Sequence, residues 1–337
     1  MHKNQSGVEV FTTHISKHIK KLHSHTDIAK PKTQNRYFQH IWEHIKLPFL
    51  AKNYDILYSP ANIAPIWSFK KTKIVVTLHD VAYLSHPQTV SKFFYFYYKL
   101  IMPFILKKAS KVVTISKASK EEIIKHYPFA KDKVEVIYNG LSEYFFENEN
   151  QNVKKENIIL YVGSLNERKN FPSVIKAFKK IPKNYNYKLV MVGNFSQNFS
   201  INEKNRQILE EIKQNENIIF KNNIDLNELK KLYQKAKIFI YPSFYEGFGF
   251  PLLEAMASKT PVITSNISSM PEICSDAALY VDPYDQEDIN DKLKFLIENE
   301  ELQKELMKKG YKRATLFRWK KSAENYLKLF EKVLNDK

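Results

Sequence analysis

A chain of 337 residues is long for one hydrophobic core, so its length favours two domains. Its hydrophobic content of 43% is ample for folding, yet no apolar stretch is long enough to span a membrane and the N-terminus lacks the apolar segment of a signal peptide. A single cysteine, Cys274, excludes an internal disulfide bond and is typical of a reducing cytoplasm.

The formal net charge of +17 leaves three interpretations open. Nucleic-acid binding is the least favoured, because the lysines are scattered as pairs through the chain and no nucleic-acid-binding motif accompanies them. Attraction to an anionic membrane face is the second, since each basic residue near such a face contributes about 1 kcal/mol. The third is a solvated, lysine-rich surface without a charged partner.

The first predicted element is an amphipathic helix over residues 10–22. Residues 23–34 are polar, contain Pro31 and predict no strand. Histidines are frequent in this region, but their spacing with cysteine and carboxylates suits no metal ion. They are His14, His18, His23 and His25.

From residue 42 to residue 140 helical and apolar extended segments alternate. Strands are predicted within 55–62, 73–81, 111–116 and 133–140, and helices at 42–50, 92–109 and 117–126. The second strand ends in His79 and Asp80, where ligands bind in open α/β sheets, although a lone histidine at a strand end is more often structural. The aromatic side of helix 92–109 is expected to pack in the core and not on a membrane. The polar run 147–156 predicts a linker.

The second half repeats the alternation. Strands are predicted at 157–163, 188–193, 217–224 and 236–241, with a helix at 226–236 and further helices after residue 283. Alternating strands and helices predict two doubly wound α/β domains. Between the first of these strands and its helix lie Arg168 and Lys169. Cations oppose the dipole at a helix N-terminus, so their position indicates a bound anion such as phosphate.

Residues 239–254 are the most informative segment. A buried strand stops at Pro242, Gly247 and Gly249 allow a tight turn, and a helix follows at Pro251. Strand, glycine loop and helix N-terminus together form an anion site, because the amides and the helix dipole point at the loop. The carboxylates of Glu246 and Glu254 add hydrogen-bond acceptors for hydroxyl groups. A ligand with hydroxyls and phosphates, such as a sugar nucleotide, suits this combination. From the spacing alone, an ordinary strand-to-helix connection with two solvated glutamates is an equally open interpretation, because Gly-x-Gly loops are common.

The same segment resembles the signature of the family 4 retaining glycosyltransferases with the GT-B fold. The resemblance rests on two glutamates separated by seven residues within Ser243-Phe-Tyr-Glu-Gly-Phe-Gly-Phe-Pro-Leu-Leu-Glu, and on the segments that begin at Pro261 and Cys274. It covers roughly residues 42–334, and its first part is similar to mannosyltransferase-like members. It implies an α/β, GT-B architecture of two doubly wound Rossmann-like domains facing a cleft, with the N-terminal sheet reduced.

The resemblance implies an acceptor-side Rossmann-like domain over 1–148, a nucleotide-sugar-binding domain over 157–312, and a terminal helical segment, 313–337, that returns to the first domain. The family's first strand has no counterpart here, so Gly7 would be the remnant of the acceptor-side loop. A wrongly chosen start or a truncated gene would produce this pattern. The chain as given is then expected to be less soluble and less active than a form extended upstream.

The resemblance also implies roles for individual side chains. His79 and Glu246 would contact the donor sugar, Arg168 and Lys169 would neutralise the diphosphate, and Glu254 would hold the ribose hydroxyls. The other expected donor-binding residues lie at the end of a strand and in the glycine loop. They are Gly163, Gly247, Phe248, Gly249, Phe250, Pro251 and Leu252.

The implied reaction transfers a sugar from a nucleotide to an acceptor hydroxyl with retention of configuration, through an oxocarbenium-like transition state. GDP-mannose is the preferred donor and a UDP-sugar is possible; the acceptor is a cell-surface glycan or a lipid-linked precursor. Neither a metal nor another cofactor is expected, and nucleic acid is not an expected partner. The expected location is the cytoplasm, with peripheral attachment to the inner face of the plasma membrane as the other option. An N-terminally truncated, non-catalytic sugar-nucleotide-binding protein is the alternative.

Overall fold

The structure is a computed structural model that describes residues 7–33, 35–87, 90–146, 153–193 and 215–336. The chain divides into two compact units. The smaller unit consists of residues 5–87, 91–140 and 317–337, and the larger unit consists mainly of residues 141–316. Most of the predicted linker, residues 147–152, lies outside the described residues.

The described part of the smaller unit holds a four-stranded parallel sheet in the order β1-β2-β3-β4. The strands are β1 (Ile56–Ser59), β2 (Lys73–Thr77), β3 (Lys111–Thr114) and β4 (Val134–Val136). Its helices up to residue 140 are α1 (Gly7–Leu22), α2 (Arg36–Ile41), α3 (Leu47–Leu50), α4 (Ala82–Ser85), α5 (Lys92–Lys108) and α6 (Lys117–His126). β2 and β3 are almost wholly buried, as expected for parallel strands that are covered on both faces.

The predicted helix at 42–50 is interrupted by one π-helical turn, Trp42–Lys46, in which the amide of Leu47 donates to the carbonyl of Trp42. Pro48 has no amide hydrogen and leaves the carbonyl of His44 without its helical donor. The indole Nε1 of Trp67 donates to that carbonyl instead, at 2.7 Å. A proline and a tertiary hydrogen bond therefore account for the irregularity.

Helix α5 is only half buried, so the expectation that its aromatic side packs in the core is wrong for one face. Its core-facing residues are Tyr98, Met102, Ile105 and Leu106. A second set of large apolar side chains is exposed: Phe93, Phe96, Leu100 and Phe104. Large apolar residues lie on both sides of the helix, but the unit covers only one of them.

In the described residues the larger unit has a six-stranded parallel sheet in the order β10-β9-β8-β5-β6-β7. The strands are β5 (Glu156–Val162), β6 (Lys188–Val192), β7 (Ile218–Lys221), β8 (Ala236–Tyr241), β9 (Val262–Ser265) and β10 (Leu279–Val281). The helices are α7 (Phe171–Lys180), α8 (Leu226–Lys235), α9 (Phe250–Ala257), α10 (Met270–Cys274), α11 (Gln286–Glu298) and α12 (Glu300–Ala314).

The strand order of this sheet reverses at β5, which pairs with β6 on one side and with β8 on the other. The carboxyl ends of β5 and β8 therefore meet at a topological switch point, where open parallel sheets bind ligands. Residues 163–169 follow β5 and residues 242–249 follow β8. Both predicted anion-binding segments thus leave the sheet at the same place.

The terminal helix α13 (Trp319–Asn335) belongs to the smaller unit and packs against α1 and β2. The hydroxyl of Thr77 forms hydrogen bonds with two tyrosines. It lies 2.8 Å from the buried hydroxyl of Tyr326 and 2.8 Å from the hydroxyl of Tyr58. A Cβ atom on Gly140 would lie 2.1 Å from the backbone nitrogen of Trp319, so only glycine fits there. Among the described residues, no helix combines the length and apolarity that a membrane span requires.

Candidate active site

The loop after β8 carries the site. Residues 238–241 of β8 are fully buried, and the chain then turns through Pro242 and Ser243 to reach Glu246. Helix α9 begins at Phe250 with Pro251 in its first turn and no side-chain cap. Gly249 has a left-handed backbone with φ of 100°, and a Cβ there would lie 2.8 Å from Leu252. The tight turn therefore depends on Gly249, whereas Gly247 does not adopt positive φ.

Glu246 is the centre of a buried polar network and is only 7% exposed. Its Oε1 atom accepts hydrogen bonds from the hydroxyls of Tyr241 and Ser243, each at 2.8 Å. Lys169 Nζ donates to the same oxygen, and Arg168 Nη1 lies 3.5 Å from it. The structure thus brings three of the predicted site residues together.

The charge balance of this network favours an anionic ligand. Burial raises the pKa of the Glu246 carboxyl, but the charges of Lys169 and Arg168 outweigh it and hold the pKa at about 2. The carboxyl is therefore ionised at neutral pH. Two cations against one carboxylate leave a net charge of +1 in a largely buried place, where it attracts phosphate more strongly than at an exposed surface.

The backbone around Glu246 is fixed by two serines that sequence reasoning did not assign to the site. The Glu246 amide donates to Ser268 Oγ at 3.1 Å, and the Glu246 carbonyl accepts from Ser268 and Ser269 at 2.7 and 2.8 Å. Ser269 also donates to the carbonyl of Phe248 at 3.1 Å. The sequence feature that could have indicated these serines is a pair of hydroxyl residues just after strand β9, at the carboxyl edge of the sheet.

Arg168 and Lys169 belong to a 3₁₀ turn, Glu167–Lys169, and not to the first turn of α7. The Asn166 side chain accepts from the Lys169 amide at 3.1 Å, and Asn170 ends the turn in a left-handed conformation. The Arg168 carbonyl accepts from the amide of Phe244 at 2.9 Å, while its guanidinium donates to the carbonyl of Tyr245. The loops after β5 and β8 are therefore joined through Arg168.

The remaining donor-binding predictions lie around the same strand ends. Gly163 follows β5, where a Cβ would lie 3.2 Å from the Tyr161 hydroxyl. The rings of Phe248 and Phe250 pack with centroids 5.2 Å apart. The amide of Leu252, expected to bind phosphate, donates to the Gly249 carbonyl at 3.1 Å.

Glu254 differs from Glu246 in its surroundings. It lies in the second turn of α9, and its Oε2 accepts from the Tyr233 hydroxyl at 2.9 Å. The residue keeps intermediate exposure, yet burial of the carboxyl raises its pKa to about 7, and the Tyr233 hydrogen bond lowers it only in part. Its two protonation states are therefore close in free energy at neutral pH.

His79 lies in the smaller unit, two residues beyond β2, and is buried. Its Nε2 is 2.9 Å from the carbonyl of Pro60, and the edge of its ring meets Phe11 with centroids 4.7 Å apart. Burial lowers the pKa of the imidazole, while Pro60 and Asp80 act in the opposite direction. A neutral ring with the proton on Nε2 satisfies these contacts. Gly7 is the first residue of α1, and its assignment to the acceptor side stays a prediction.

Among the described residues, no group of three or more histidine, cysteine and acidic side chains is arranged to hold a metal ion. In the site itself Arg168 and Lys169 supply the positive charge.

Two family models match the chain. The one described as "Glycosyl transferases group 1" matches residues 143–313, and the one described as "Glycosyltransferase Family 4" matches residues 5–143. The O-antigen chain mannosyltransferase RfbU of Salmonella typhimurium is 36% identical over 211 residues, which is 63% of this chain and 57% of that protein. The O-antigen chain mannosyltransferase B of Escherichia coli is 26% identical over 258 residues, 73% of this chain and 67% of that protein. The chain thus spans little more than half the length of RfbU.

Solved structures resemble the whole chain. Anabaena Alr3699/HepE, solved in complex with UDP and glucose, matches with a TM-score of 0.74 and 15% identity, over 98% of this chain and 98% of that one. At this identity the likeness concerns the fold alone. It agrees with the two parallel α/β sheets described above, so the predicted GT-B fold is confirmed.

Proposed function

This chain belongs to the glycosyl transferases group 1 family, and we propose that it transfers a sugar from a nucleotide donor to an acceptor hydroxyl with retention of configuration. The observation that carries the proposal is the Glu246 network at the switch point of the larger sheet. It combines two cations for a diphosphate with a buried, ionised carboxylate for sugar hydroxyls. The same two chemistries are needed for a nucleotide sugar.

The two cations are placed to stabilise the leaving group. In glycosyl transfer from a nucleotide, negative charge grows on the diphosphate as the bond to the sugar breaks. Arg168 and Lys169 are fixed by the turn that Asn166 caps, so their charges are aligned before the reaction. Such preorganised charge lowers the barrier without reorganisation of solvent.

Glu246 is suited to hold the sugar. Within the described residues every hydrogen bond to its carboxylate falls on Oε1, so Oε2 can accept from a sugar hydroxyl. The serine contacts to its backbone fix the direction of the side chain. As the oxocarbenium-like transition state develops, this carboxylate also stabilises positive charge on the sugar.

The remaining roles extend this proposal. Glu254 would accept hydrogen bonds from the ribose hydroxyls, and His79 would contact the donor sugar. The departing phosphate oxygen would take the proton of the acceptor hydroxyl, because the sugar is attacked on the face that the phosphate leaves. The positive end of the α9 dipole would also favour the phosphates.

The identity of the substrates is proposed from the relatives. RfbU and its Escherichia coli counterpart are named O-antigen chain mannosyltransferases, which supports mannose, from GDP-mannose, as the transferred sugar and a surface glycan or its lipid-linked precursor as the acceptor. HepE holds UDP, so a UDP-sugar is the alternative donor. We also propose that the acceptor is met at an anionic membrane surface on the cytoplasmic side.

The test is a thermal-shift screen of the full chain with nucleotide sugars, followed by a transfer assay. A donor at 100 times its Kd should add about 2.7 kcal/mol to the free energy of unfolding. GDP-mannose should stabilise the protein more than UDP-glucose, and transfer should follow. Stabilisation without turnover on any acceptor would identify a non-catalytic binding protein, and no stabilisation by any nucleotide sugar would overturn the proposal.

A further inference from the structure

The two units differ sharply in charge. Residues 5–87, 91–140 and 317–337 contain 27 Lys and Arg against 12 Asp and Glu, so the smaller unit carries +15 of the chain's +17. The larger unit, which holds the Glu246 network, is therefore nearly neutral. The excess positive charge belongs to the unit that lacks this network, so binding of the donor diphosphate does not account for it.

Exposed apolar side chains, like the excess positive charge, are concentrated in the smaller unit. Among the large apolar residues that are exposed in the described part of the chain, all but Tyr284, Phe295 and Leu316 lie in the smaller unit. Scattered apolar residues on a surface are normal, but a contiguous set flanked by basic residues indicates a binding surface. The question is whether the exposed residues are contiguous.

The exposed apolar side chains of α5 form one stripe along the helix. Phe93, Phe96, Leu100 and Phe104 are spaced by three or four residues, which places them on one side of a helix. Phe96 and Leu100 are 65% and 70% exposed. The helix contains no acidic residue, and its exposed cations are Lys92, Lys99, Lys107 and Lys108.

A second stripe lies on the neighbouring helical segment 36–50. Phe38, Ile41, Ile45 and Phe49 are exposed and follow the same spacing through α2, the π turn and α3. The segments touch through Tyr97, whose hydroxyl lies 3.2 Å from His44 Nε2 and whose ring lies 4.8 Å from that of His40.

The rings of Trp67 and Phe69 extend the second stripe, because both pack against Phe49 with centroids 5.4 and 5.7 Å away. Exposed lysines border it at Lys46, Lys52, Lys70 and Lys71. Aromatic rings beside lysines are typical of surfaces that rest at the level of lipid headgroups.

We propose that these two stripes, the apolar-basic face, dock the smaller unit on an anionic lipid bilayer. The aromatic and aliphatic side chains would enter the boundary between headgroups and acyl chains, while the lysines beside them bind anionic headgroups. The charge of +15 selects this occupant over a second copy of the chain, because two such faces would repel each other. This inference deepens the proposed function, on which it rests, by naming the surface that would meet a lipid-linked acceptor.

The experiment is co-sedimentation of the full chain with vesicles of phosphatidylcholine alone and of phosphatidylcholine mixed with phosphatidylglycerol. The protein should bind the mixed vesicles and not the neutral ones, and raised salt should weaken binding. The double variant Phe96→Ser/Leu100→Ser should lose at least about tenfold in affinity, because two side chains no longer enter the lipid. Lys92→Gln and Lys99→Gln should each cost about fivefold.

The matched control is Phe295→Ser, which removes an exposed aromatic ring from α11 of the larger unit and should leave vesicle binding unchanged. Nucleotide-sugar thermal shift is measured on every variant. Loss of vesicle binding with an intact thermal shift shows that the face acts in docking and not in folding. A wild-type protein that binds nucleotide sugar but no anionic vesicle would overturn the docking proposal and leave the proposed function standing.

Two further outcomes would also overturn it. If the lysine variants lose binding while Phe96→Ser/Leu100→Ser keeps it, the protein is adsorbed by charge alone and the apolar stripes do not dock. If light scattering shows a dimer that the double serine variant converts to monomer, and vesicles are not bound, the occupant is a second copy. Conversely, vesicle binding without any nucleotide-sugar shift would retain the docking face and remove the proposed function.

Discussion

The two units use charge in opposite ways. In the larger unit, whose net charge is close to zero, Arg168, Lys169 and Glu246 are gathered at the carboxyl ends of β5 and β8. In the smaller unit the corresponding edge holds neutral contacts, such as that between His79 and Pro60, and the excess charge is carried by the surface. The larger unit gathers charged side chains in a buried network, whereas the smaller unit carries its excess charge on the surface.

The difference is informative because burying charge is costly. A buried ion pair is often no more stabilising than apolar residues of the same size, although breaking one by removing a partner typically costs about 3–5 kcal/mol. Stability alone therefore gives little reason to keep the Glu246 network. A ligand that needs both cations and a carboxylate gives a direct reason.

The largest effect is expected for Lys169→Ala. The variant reduces the net charge of the network from +1 to zero and would remove the proposed charge-assisted hydrogen bond to the diphosphate, so transfer should slow by about 100-fold or more. Steady-state kinetics with the donor measure the effect. Lys176→Ala, which changes an exposed lysine on the following helix, is the matched control and should behave as wild type. Unchanged kinetics for a folded Lys169→Ala would remove this lysine from the site.

The next largest effect is expected for Glu246→Gln and Glu254→Gln, which should change ligand binding in different ways. Glu246→Gln should leave GDP binding intact or tighten it, because the network gains one positive charge, while it weakens binding of GDP-mannose and transfer by roughly tenfold or more. Glu254→Gln should weaken GDP and GDP-mannose alike, because the ribose is common to both. Calorimetry with the two ligands measures this. Equal losses for both ligands in both variants would refute the assignment.

A smaller effect is expected from pH. The pKa of Glu254 is raised to about 7 and that of Glu246 is lowered to about 2, so of these two carboxyls only that of Glu254 titrates near neutrality. If the ionised carboxyl accepts from ribose, the affinity for GDP-mannose, whose diphosphate does not titrate in this range, should rise severalfold between pH 6 and pH 8. The affinity of Glu254→Gln should be flat over the same range, and a wild-type affinity that falls with pH would contradict the assignment.

Stability should respond to the same groups with opposite signs. The folded-state pKa of Glu254 lies above its ordinary value of 4.5, so its contribution favours the folded state at low pH and is lost as pH rises towards 7. Glu246 has a depressed pKa, so its contribution is present above pH 4.5 and is lost as pH falls towards 2. Denaturation of the two glutamine variants across pH separates these slopes.

The sequence predicted the charged residues of the site, but not the serines that hold the backbone of Glu246 in position. Arg168, Lys169 and Glu246 carry a recognisable pattern, and their meeting follows from the order of parallel strands. Ser268 and Ser269 escaped prediction because their function depends on a contact with residues about twenty positions earlier. Local patterns do not reveal such tertiary hydrogen bonds.

The same limit applies to the helices of the smaller unit. The π turn at 42–46 is explained by Pro48 together with Trp67, which lies far along the chain. On α5 large apolar residues occur on both sides, so periodicity could not tell which side is buried. Element type was predictable, while the identity of the exposed face required the fold.

A modest effect should confirm that the hydroxyl network in the smaller unit is structural. Tyr326→Phe removes one buried hydrogen bond to Thr77 and should cost about 1 kcal/mol, which corresponds to a fall of roughly 2–4 °C in Tm. The Kd for GDP should not change. Phe330→Leu, a substitution on the same helix that removes no hydrogen bond, is the control for packing. A weakened GDP affinity in Tyr326→Phe would contradict the division of roles between the units.

The smallest effect is expected from chelation. A divalent cation serves nucleotide-sugar enzymes by neutralising the diphosphate as it departs. We propose that Arg168 and Lys169 take that role here, since their charges exceed that of Glu246 by one. Transfer by the wild type should therefore continue at an unchanged rate in EDTA, measured with donor at saturation. The Lys169→Ala variant provides a second test. If the loss of a positive charge is what slows this variant, added manganese should partly restore its rate of transfer. Loss of wild-type activity in EDTA with recovery in magnesium or manganese would show that the cations of the larger unit are insufficient by themselves.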